Sequence, residues 1–288
     1  MSSAPSSRCG ALTRPTFIVS SPRSGSTLLF QTLAQAPGLA TIGNESHGLI
    51  EGIPAFHPAS HEWHSNRLTA DDLDPRAVEE MSRRFLAMMR GRDGQPAAPT
   101  MHLLEKTPKN SLRVPLLASA YPDARFVFLY REARPTLASM IEAWRSGRFR
   151  TYPRLPGWRG PDGLPWSLLL VPGWRELVGQ PLAEIVAHQW TATIDILLAD
   201  LEALPQSQVH VVSYQRFLAD PQASMEDICS WLGEEWDRQL PAPLPLSRFT
   251  VSPPSPDKWK RYEAEIESVW PLVQRAECRS REFIEKRE

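Results

Sequence analysis

The sequence predicts a three-layer α/β fold, in which a central parallel β-sheet is flanked by helices. Short apolar runs alternate with longer helical patterns along the 288 residues, as in successive β-α-β units. One run, Phe126–Tyr130, is apolar at every position, which is typical of a strand covered on both faces. The first strand is followed directly by a tight loop and a helix. The predicted strands are Thr16–Ser20, His102–Leu104, Arg125–Tyr130 and Val209–Ser213.

Helical patterns fill the intervals between these strands. Their lengths suit the crossover connections that parallel strands require. The predicted helices are Thr27–Gln35, Asp72–Arg90, Ser111–Tyr121, Arg134–Trp144, Leu182–Leu204 and Pro221–Leu232. A final helix, Lys258–Lys286, contains Pro271, which is expected to kink or split it.

A segment rich in proline, glycine and tryptophan interrupts this pattern at Arg145–Pro181. Long segments without periodicity are usually functional or disordered, and Trp158, Trp166 and Trp174 argue against disorder. Two interpretations remain open: a lid over an acceptor site, or a structural wrap packed on the core. We expect residues 15–288 to form a single domain with this segment inserted near 145–181, preceded by a flexible tail at residues 1–14.

Composition restricts the class of protein. The formal net charge of −1 lacks the clustered basic excess of a nucleic-acid surface, so no nucleic-acid partner is expected. Three cysteines without metal-ligand spacing suit a reducing compartment better than a disulfide framework. The most apolar run, Leu168–Val171, is far too short to span a bilayer. We therefore expect a soluble cytoplasmic protein without a membrane span.

The loop after the first strand has the chemistry of an anion site. It reads Ser-Pro-Arg-Ser-Gly-Ser-Thr and leads directly into a helix, whose N-terminus presents backbone N–H groups and a positive dipole end. Arg23 adds a positive charge, while Ser24, Ser26 and Thr27 add hydroxyl donors around Gly25. The loop therefore predicts binding of a phosphate or sulfate ester.

This loop differs from the nucleoside-triphosphate loop of kinases and NTPases. That loop places a lysine directly after its second glycine, whereas Ser26 follows Gly25 here. A degenerate kinase or NTPase would also need an acidic Mg²⁺ ligand at a strand end, for which Glu105 is the only plausible candidate. This function, and that of a non-catalytic nucleotide-binding protein, remain as alternatives.

Two motifs resemble those of sulfotransferases that use 3′-phosphoadenosine 5′-phosphosulfate (PAPS). Pro22–Thr27 is similar to their 5′-phosphosulfate loop, with Arg23 as the cation, as in the protein-tyrosine branch. Arg131 follows a strand and Ser139 comes eight residues later, which resembles the motif that holds the 3′-phosphate. The resemblance covers most of the chain and is to the bacterial stand-alone branch, with similarity to protein-tyrosine and polyketide-type members. It implies a P-loop-like fold and sulfuryl transfer from PAPS to a hydroxyl group.

The same resemblance implies the catalytic residues. Lys106 matches the lysine that helps to position the sulfuryl group, and with Arg23 it would stabilise charge on the leaving phosphate. Glu45 matches the general base of protein-tyrosine sulfotransferases, with a one-residue difference in length. His47 is the alternative base, because in an extended strand it would face the same side as Glu45. Glu51 is a further candidate.

Two later segments resemble parts of the nucleotide site in this family. Tyr214 follows the last strand and would approach the adenine or the 3′-phosphate, although a buried structural role is equally open. Lys258 and Trp259 match a late segment that closes over the nucleotide, with Ser247 or Ser252 as further contacts. The resemblance implies PAPS as co-substrate and no metal.

No motif identifies the acceptor. The tryptophan-rich segment favours a small-molecule or carrier-bound hydroxyl acceptor with an apolar or extended body. A zinc centre is a rival site, because His57, His61 and His64 have the spacing of one helical face. Pro58 and the lack of a cysteine or carboxylate framework weigh against that zinc centre.

Overall fold

The computed structural model describes residues 12–241, 244–245, 251, 255 and 257–287. Most of the expected N-terminal tail, together with Ser247 and Ser252, lies outside the described residues. The strands are β1 (Thr16–Val19), β2 (Leu39–Ala40), β3 (His102–Lys106), β4 (Arg125–Tyr130), β5 (Arg150–Tyr152), β6 (Trp166–Ser167) and β7 (Val209–Ser213). The α-helices are α1 (Ser26–Leu33), α2 (His47–Glu51), α3 (Pro75–Met88), α4 (Val114–Ala120), α5 (Ala133–Ser146), α6 (Leu182–Glu202), α7 (Tyr214–Ala219), α8 (Pro221–Leu232) and α9 (Glu263–Glu285).

Five parallel strands form the central sheet. Their order is β2-β3-β1-β4-β7, with β1 in the middle. Val127 of β4 pairs with Ile18 of β1 on one side and with His210 of β7 on the other. Because the strands run the same way, their carboxyl ends meet at one edge of the sheet. Open α/β sheets bind their ligands at this edge.

The two faces of the sheet bury separate apolar clusters. Ile18, Val127 and Leu129 pack with α1, α7 and α8 on one face. Phe17 and Phe126 pack with α4, α5, α6 and α9 on the other. Successive residues of a strand therefore enter opposite helical layers, as the apolar character of β4 predicted. The structure confirms the three-layer α/β fold expected from the sequence.

The proline-, glycine- and tryptophan-rich segment carries the antiparallel hairpin β5–β6 and is anchored by its indole rings. Trp166 and Trp174 are fully buried and Trp158 is half-buried. These rings pack against one another and against Trp144 of α5, with ring centroids 4.7–6.2 Å apart. The indole N–H groups of the segment donate to backbone carbonyls. The tryptophans thus belong to the core.

The structure corrects three local expectations. β2 has only two residues and was missed, because so short a strand shows no periodic pattern. α2 begins at His47, so the extended strand expected for Glu45 and His47 is wrong. Pro271 lies inside α9 but does not split it, because the helix continues from Glu263 to Glu285. No described helix is long and apolar enough to cross a membrane.

Candidate active site

A large cavity opens at the carboxyl edge of the sheet. Its volume is about 1060 Å³, and its walls include the loop after β1, α2, the end of β3 and the hairpin segment. Of the described residues predicted for the nucleotide and catalytic sites, all line it except Ser24. Among the described residues that line it, seven basic side chains face two carboxylates, Glu45 and Glu51. The basic residues are Arg23, Lys106, Lys109, Arg131, Arg148, Arg150 and Lys258. Such an excess of positive charge suits an anionic ligand.

Backbone conformation and hydrogen bonds fix the loop between β1 and α1. Arg23 has a φ of 68° and Gly25 a φ of 96°, both in the left-handed region. The Ser20 N–H donates to Ser111 Oγ (2.9 Å), and that hydroxyl donates back to the Ser20 carbonyl oxygen (2.7 Å). The side chain of Ser24, which belongs to the loop, is buried, and its hydroxyl forms a 2.6 Å hydrogen bond with the Ser21 hydroxyl. The loop thus directs the first turn of α1 toward the cavity, in an anion-binding arrangement.

Gly25 is required by its neighbour as well as by its φ. A Cβ built on Gly25 would lie 2.3 Å from Cε2 of the Tyr214 ring. We expect Gly25→Ala to lower the free energy of unfolding by about 2–4 kcal/mol, because left-handed strain and a steric clash add together. Gly94→Ala is the matched control: its φ is +77°, but its Cβ would meet nothing within 4 Å. Equal losses in the two variants, measured by urea denaturation, would exclude a contribution from Tyr214.

Arg131 and Ser139 join the loop from β4 and α5. Arg131 Nη1 donates to the Arg23 carbonyl oxygen (3.2 Å), and Arg23 Nε donates to Ser139 Oγ (3.3 Å). The Arg131 guanidinium lies over the Tyr214 ring (4.8 Å), and that of Arg23 lies over the Phe149 ring (4.5 Å). Burial lowers the pKa of Arg131. Burial and the nearby charge of Arg131 together lower the pKa of Arg23 to about 10. Both remain charged at neutral pH, and an anion between them would relieve the cost of burying them.

Lys106 connects the anion loop to the candidate bases. Lys106 Nζ donates to Thr27 Oγ1 (3.0 Å) and to Glu45 Oε1, while His47 Nε2 donates to Glu45 Oε2 (2.6 Å). Burial acts to raise the pKa of Glu45, but the hydrogen bond from His47 and the charge of Lys106 outweigh it and lower the pKa to about 2. Glu45 is therefore a carboxylate at neutral pH, with 24% of its side chain exposed.

A buried carboxylate fixes the backbone between these two candidate bases. Glu105 is 1% exposed and accepts hydrogen bonds from Ser46 Oγ (2.7 Å), Asn110 Nδ2 (2.5 Å) and Thr107 Oγ1. The Ser46 N–H donates to Thr107 Oγ1 (2.7 Å). Burial raises the pKa of Glu105, although these hydrogen bonds and the charge of Lys106 oppose the increase. With its oxygens engaged in this way, Glu105 does not supply the open Mg²⁺ ligand that a kinase would need.

Two elements complete the wall beside the arginines. Lys258, in the turn before α9, places Nζ 2.6 Å from Glu142 Oε2 of α5. The next residue, Trp259, has its ring 5.7 Å from the Arg134 guanidinium. Tyr214 lines the cavity and also packs on Gly25, so the binding and structural roles considered for it are compatible.

No sequence pattern indicated a second polar cluster in the wall of the cavity. Lys109 Nζ donates to both oxygens of Glu51 (2.8 and 2.7 Å) and to the Tyr152 hydroxyl (2.8 Å). Arg113 Nη2 donates to Glu51 Oε1 (2.6 Å). Burial lowers the pKa of Lys109 to about 8, against the opposing effect of Glu51. Glu51 is thus bound by two cations, which disfavours it as the general base.

The three histidines of the rival zinc site do not converge. His57 Nδ1 accepts a hydrogen bond from the Ala59 N–H (3.0 Å), and His61 Nε2 lies 2.8 Å from the Ala55 carbonyl oxygen. In the part of the chain that the structure describes, no three or more His, Cys, Asp or Glu side chains are grouped to hold a metal ion.

Comparison with a family model connects this geometry to known proteins. A model described as "Sulfotransferase family" matches residues 15–158 and 169–238. A putative protein-tyrosine sulfotransferase of Caenorhabditis briggsae is 26% identical over 126 residues, which are 44% of this chain and 42% of that protein. The chain therefore spans less than half the length of this curated relative. The family model spans the anion loop, Glu45, Lys106, Arg131 and Tyr214.

Several solved sulfotransferase structures are similar to this chain. The sulfotransferase domain from the curacin biosynthetic pathway is 17% identical, with a TM-score of 0.48, covering 78% of this chain and 76% of its own. A sulfotransferase of Mycobacterium tuberculosis H37Rv is 16% identical, with a TM-score of 0.49, covering 92% of this chain and 77% of its own. A mouse sulfotransferase complexed with PAP is 15% identical, with a TM-score of 0.42, covering 80% of this chain and 62% of its own.

Proposed function

The chain belongs to the sulfotransferase family, and on this premise we propose that it transfers a sulfuryl group from PAPS to a hydroxyl group of a small-molecule or carrier-bound acceptor. The observation that carries the proposal is the pairing of Arg131 with the anion loop, through its 3.2 Å hydrogen bond to the Arg23 carbonyl oxygen. Two cationic positions are thereby held at a fixed spacing, which suits a nucleotide with phosphate groups on both the 3′ and the 5′ oxygen of its ribose.

The protein groups that line this part of the cavity fit such a ligand. The first turn of α1, Arg23 and Lys106 would hold the phosphosulfate, while Arg131 and Ser139 would hold the 3′-phosphate. Tyr214 offers an aromatic surface beside Arg131. PAPS, when bound, supplies an activated sulfuryl group on a bisphosphate leaving group. No metal ion is needed for this set of contacts, because arginine and lysine side chains supply the positive charge.

Glu45 is the better of the two candidate bases. Its carboxylate takes the proton of the acceptor hydroxyl, whose oxygen forms the new bond to sulfur as the bond from sulfur to the leaving phosphate breaks. Lys106 and Arg23 stabilise the charge on that phosphate. Both Glu45 oxygens already accept one hydrogen bond, and a carboxylate has lone pairs for further donors. His47 is less suited, because Nε2 bonds Glu45 and Nδ1 is buried without a hydrogen-bond partner.

Isothermal titration calorimetry tests whether PAPS is the sulfuryl donor. We expect the 3′,5′-bisphosphate product of PAPS to bind more tightly than ATP-Mg²⁺, and Arg131→Ala to weaken its binding about thirty-fold or more, since a buried charged contact is lost. Arg83→Ala is the matched control, because Arg83 pairs with Glu80 (2.7 Å) at an exposed position outside the cavity lining. A preference for ATP-Mg²⁺, or an equal effect of the two variants, would contradict the proposal and favour a kinase or a non-catalytic protein.

A further inference from the structure

The cavity has room for more than the donor. Ligand pockets usually have volumes of about 300–1,000 Å³, and this one is about 1060 Å³. Part of its lining is formed by the anion loop and the arginines. We define the acceptor chamber as the part lined by Gly48, Glu51, Pro108, Lys109, Leu168 and Leu169. We propose that this chamber selects acceptors with a second, uncharged hydroxyl group, which donates a hydrogen bond to Glu51. The inference rests on the proposed function.

Helix α2 gives the chamber its shape. His47, Gly48, Glu51 and Gly52 all line the cavity, and the i, i+4 spacing places His47 and Glu51 on one face. A Cβ built on Gly48 would meet nothing within 4 Å, so open space adjoins the helix backbone there. A ligand can therefore lie close against α2, with one end near the Glu45–His47 pair and the other near Glu51.

The hydrogen-bond capacity of Glu51 favours a hydrogen-bond donor on the ligand. Glu51 Oε1 accepts from Lys109, Arg113, Asn66 (3.1 Å) and the Tyr152 hydroxyl (3.0 Å). Among the described residues, Glu51 Oε2 accepts only from Lys109 (2.7 Å). With four donors on Oε1 and one on Oε2, Oε2 is the less crowded oxygen and is the one that a further donor would use. The three protons of Lys109 already face three acceptors, so the cluster offers the ligand an acceptor site and no free ammonium proton.

Charge favours a hydroxyl group over an ammonium group as that donor. Lys109 and Arg113 together carry one more positive charge than Glu51 balances, and all three are at least nine-tenths buried. A ligand ammonium group would add a third cation to this cluster, so electrostatics disfavours it. A neutral hydroxyl donates to Glu51 Oε2 without changing the balance of charge. The side chains of Pro108, Leu168 and Leu169 supply apolar surface for the body of the ligand between its two hydroxyl groups.

The test compares probes that differ by a single group. Calorimetry in the presence of the bisphosphate measures para-hydroxybenzyl alcohol against para-cresol, and a biphenyl diol against the corresponding mono-ol. We expect the second hydroxyl to raise affinity about tenfold in at least one pair, since it adds a hydrogen bond to a carboxylate. A phenol with an aminomethyl group in place of the second hydroxyl is expected to bind more weakly than the diol. Equal affinity of diol and mono-ol in both pairs would overturn the proposal.

A Gly48 variant tests the location of the chamber. Gly48→Leu places a side chain in the open space and should weaken diol binding at least tenfold, whereas Gly48→Ala, the matched control, should leave it nearly unchanged. Bisphosphate binding should be the same in both variants. Unchanged diol binding in Gly48→Leu would overturn the proposal, and weakened bisphosphate binding would assign the chamber to the donor. If wild type binds no bisphosphate, the proposed donor is wrong, and the same probe pairs without nucleotide still test the chamber.

Discussion

Replacing Glu45 with glutamine is expected to lower kcat about 10²–10⁴-fold, the usual contribution of a positioned general base. Glutamine keeps the size of the side chain and can still accept from Lys106, but it cannot take the acceptor proton. Bisphosphate affinity, measured by calorimetry, should change little, because Glu45 hydrogen-bonds Lys106 and His47, and Lys106 in turn bonds Thr27 at the start of α1. Glu62→Gln, at an exposed position outside the cavity lining, serves as the control. A kcat within threefold of wild type would exclude Glu45 as the base.

The pH dependence of the same reaction distinguishes the two candidate bases. Because the pKa of Glu45 is lowered to about 2, kcat/KM should show no acidic limb from Glu45 between pH 5 and 8. A limb in that range that disappears in His47→Gln would be typical of a histidine base and would contradict our assignment. The lowered pKa also contributes to stability above pH 4.5, and this contribution is lost as the pH falls from 4.5 toward 2.

Replacing Arg23 with alanine is expected to abolish measurable turnover, with a loss of about 10³-fold or more. The side chain supplies a charge at the anion loop and hydrogen-bonds Ser139, so its removal affects the binding sites for both phosphates. Alanine retains the unfavourable φ of 68° that arginine already adopts, so backbone strain is unchanged and the loss reports on the side chain.

Single-turnover assays with PAPS and calorimetry with the bisphosphate measure this effect. Arg23→Lys separates charge from geometry, because lysine retains the positive charge but lacks the planar guanidinium that donates to Ser139. We expect its turnover to lie between that of Arg23→Ala and that of wild type. Arg83→Ala again provides an arginine control outside the cavity lining. Near-wild-type turnover of Arg23→Ala would show that the loop after β1 does not bind the donor.

The parts of this molecule that the sequence predicted are those encoded in contiguous residues. The anion loop combines a strand, a turn and a helix start within a dozen positions, and the β4 strand is apolar throughout, so each was recognisable alone. The cluster around Glu51 was not, because it assembles Asn66, Lys109, Arg113 and Tyr152 from separate elements. Lys109 lies only three residues after Lys106, yet the turn at Pro108–Leu112 directs it to Glu51, whereas Lys106 bonds Glu45.

Local backbone conformation was the second feature that could not be predicted from the sequence. Glu45 and His47 were expected to share one side of a strand, but they meet because α2 begins at His47 and folds its imidazole back onto Glu45. Pro271 was expected to kink or split the last helix. Val269 and Val273 are buried on either side of it, and this packing accompanies a continuous helix at the cost of one backbone hydrogen bond.

The indole cluster of the hairpin segment limits how this part of the cavity wall can be changed. Trp166 and Trp174 are interior residues, so the segment cannot be exchanged between relatives as an independent cassette. Removing a buried tryptophan costs about 3–5 kcal/mol, and two such losses approach the whole stability of a typical domain, about 5–15 kcal/mol. On the proposed function, we therefore expect the acceptor to be altered by single substitutions at the positions of this segment that line the cavity, such as Thr151 and Leu168.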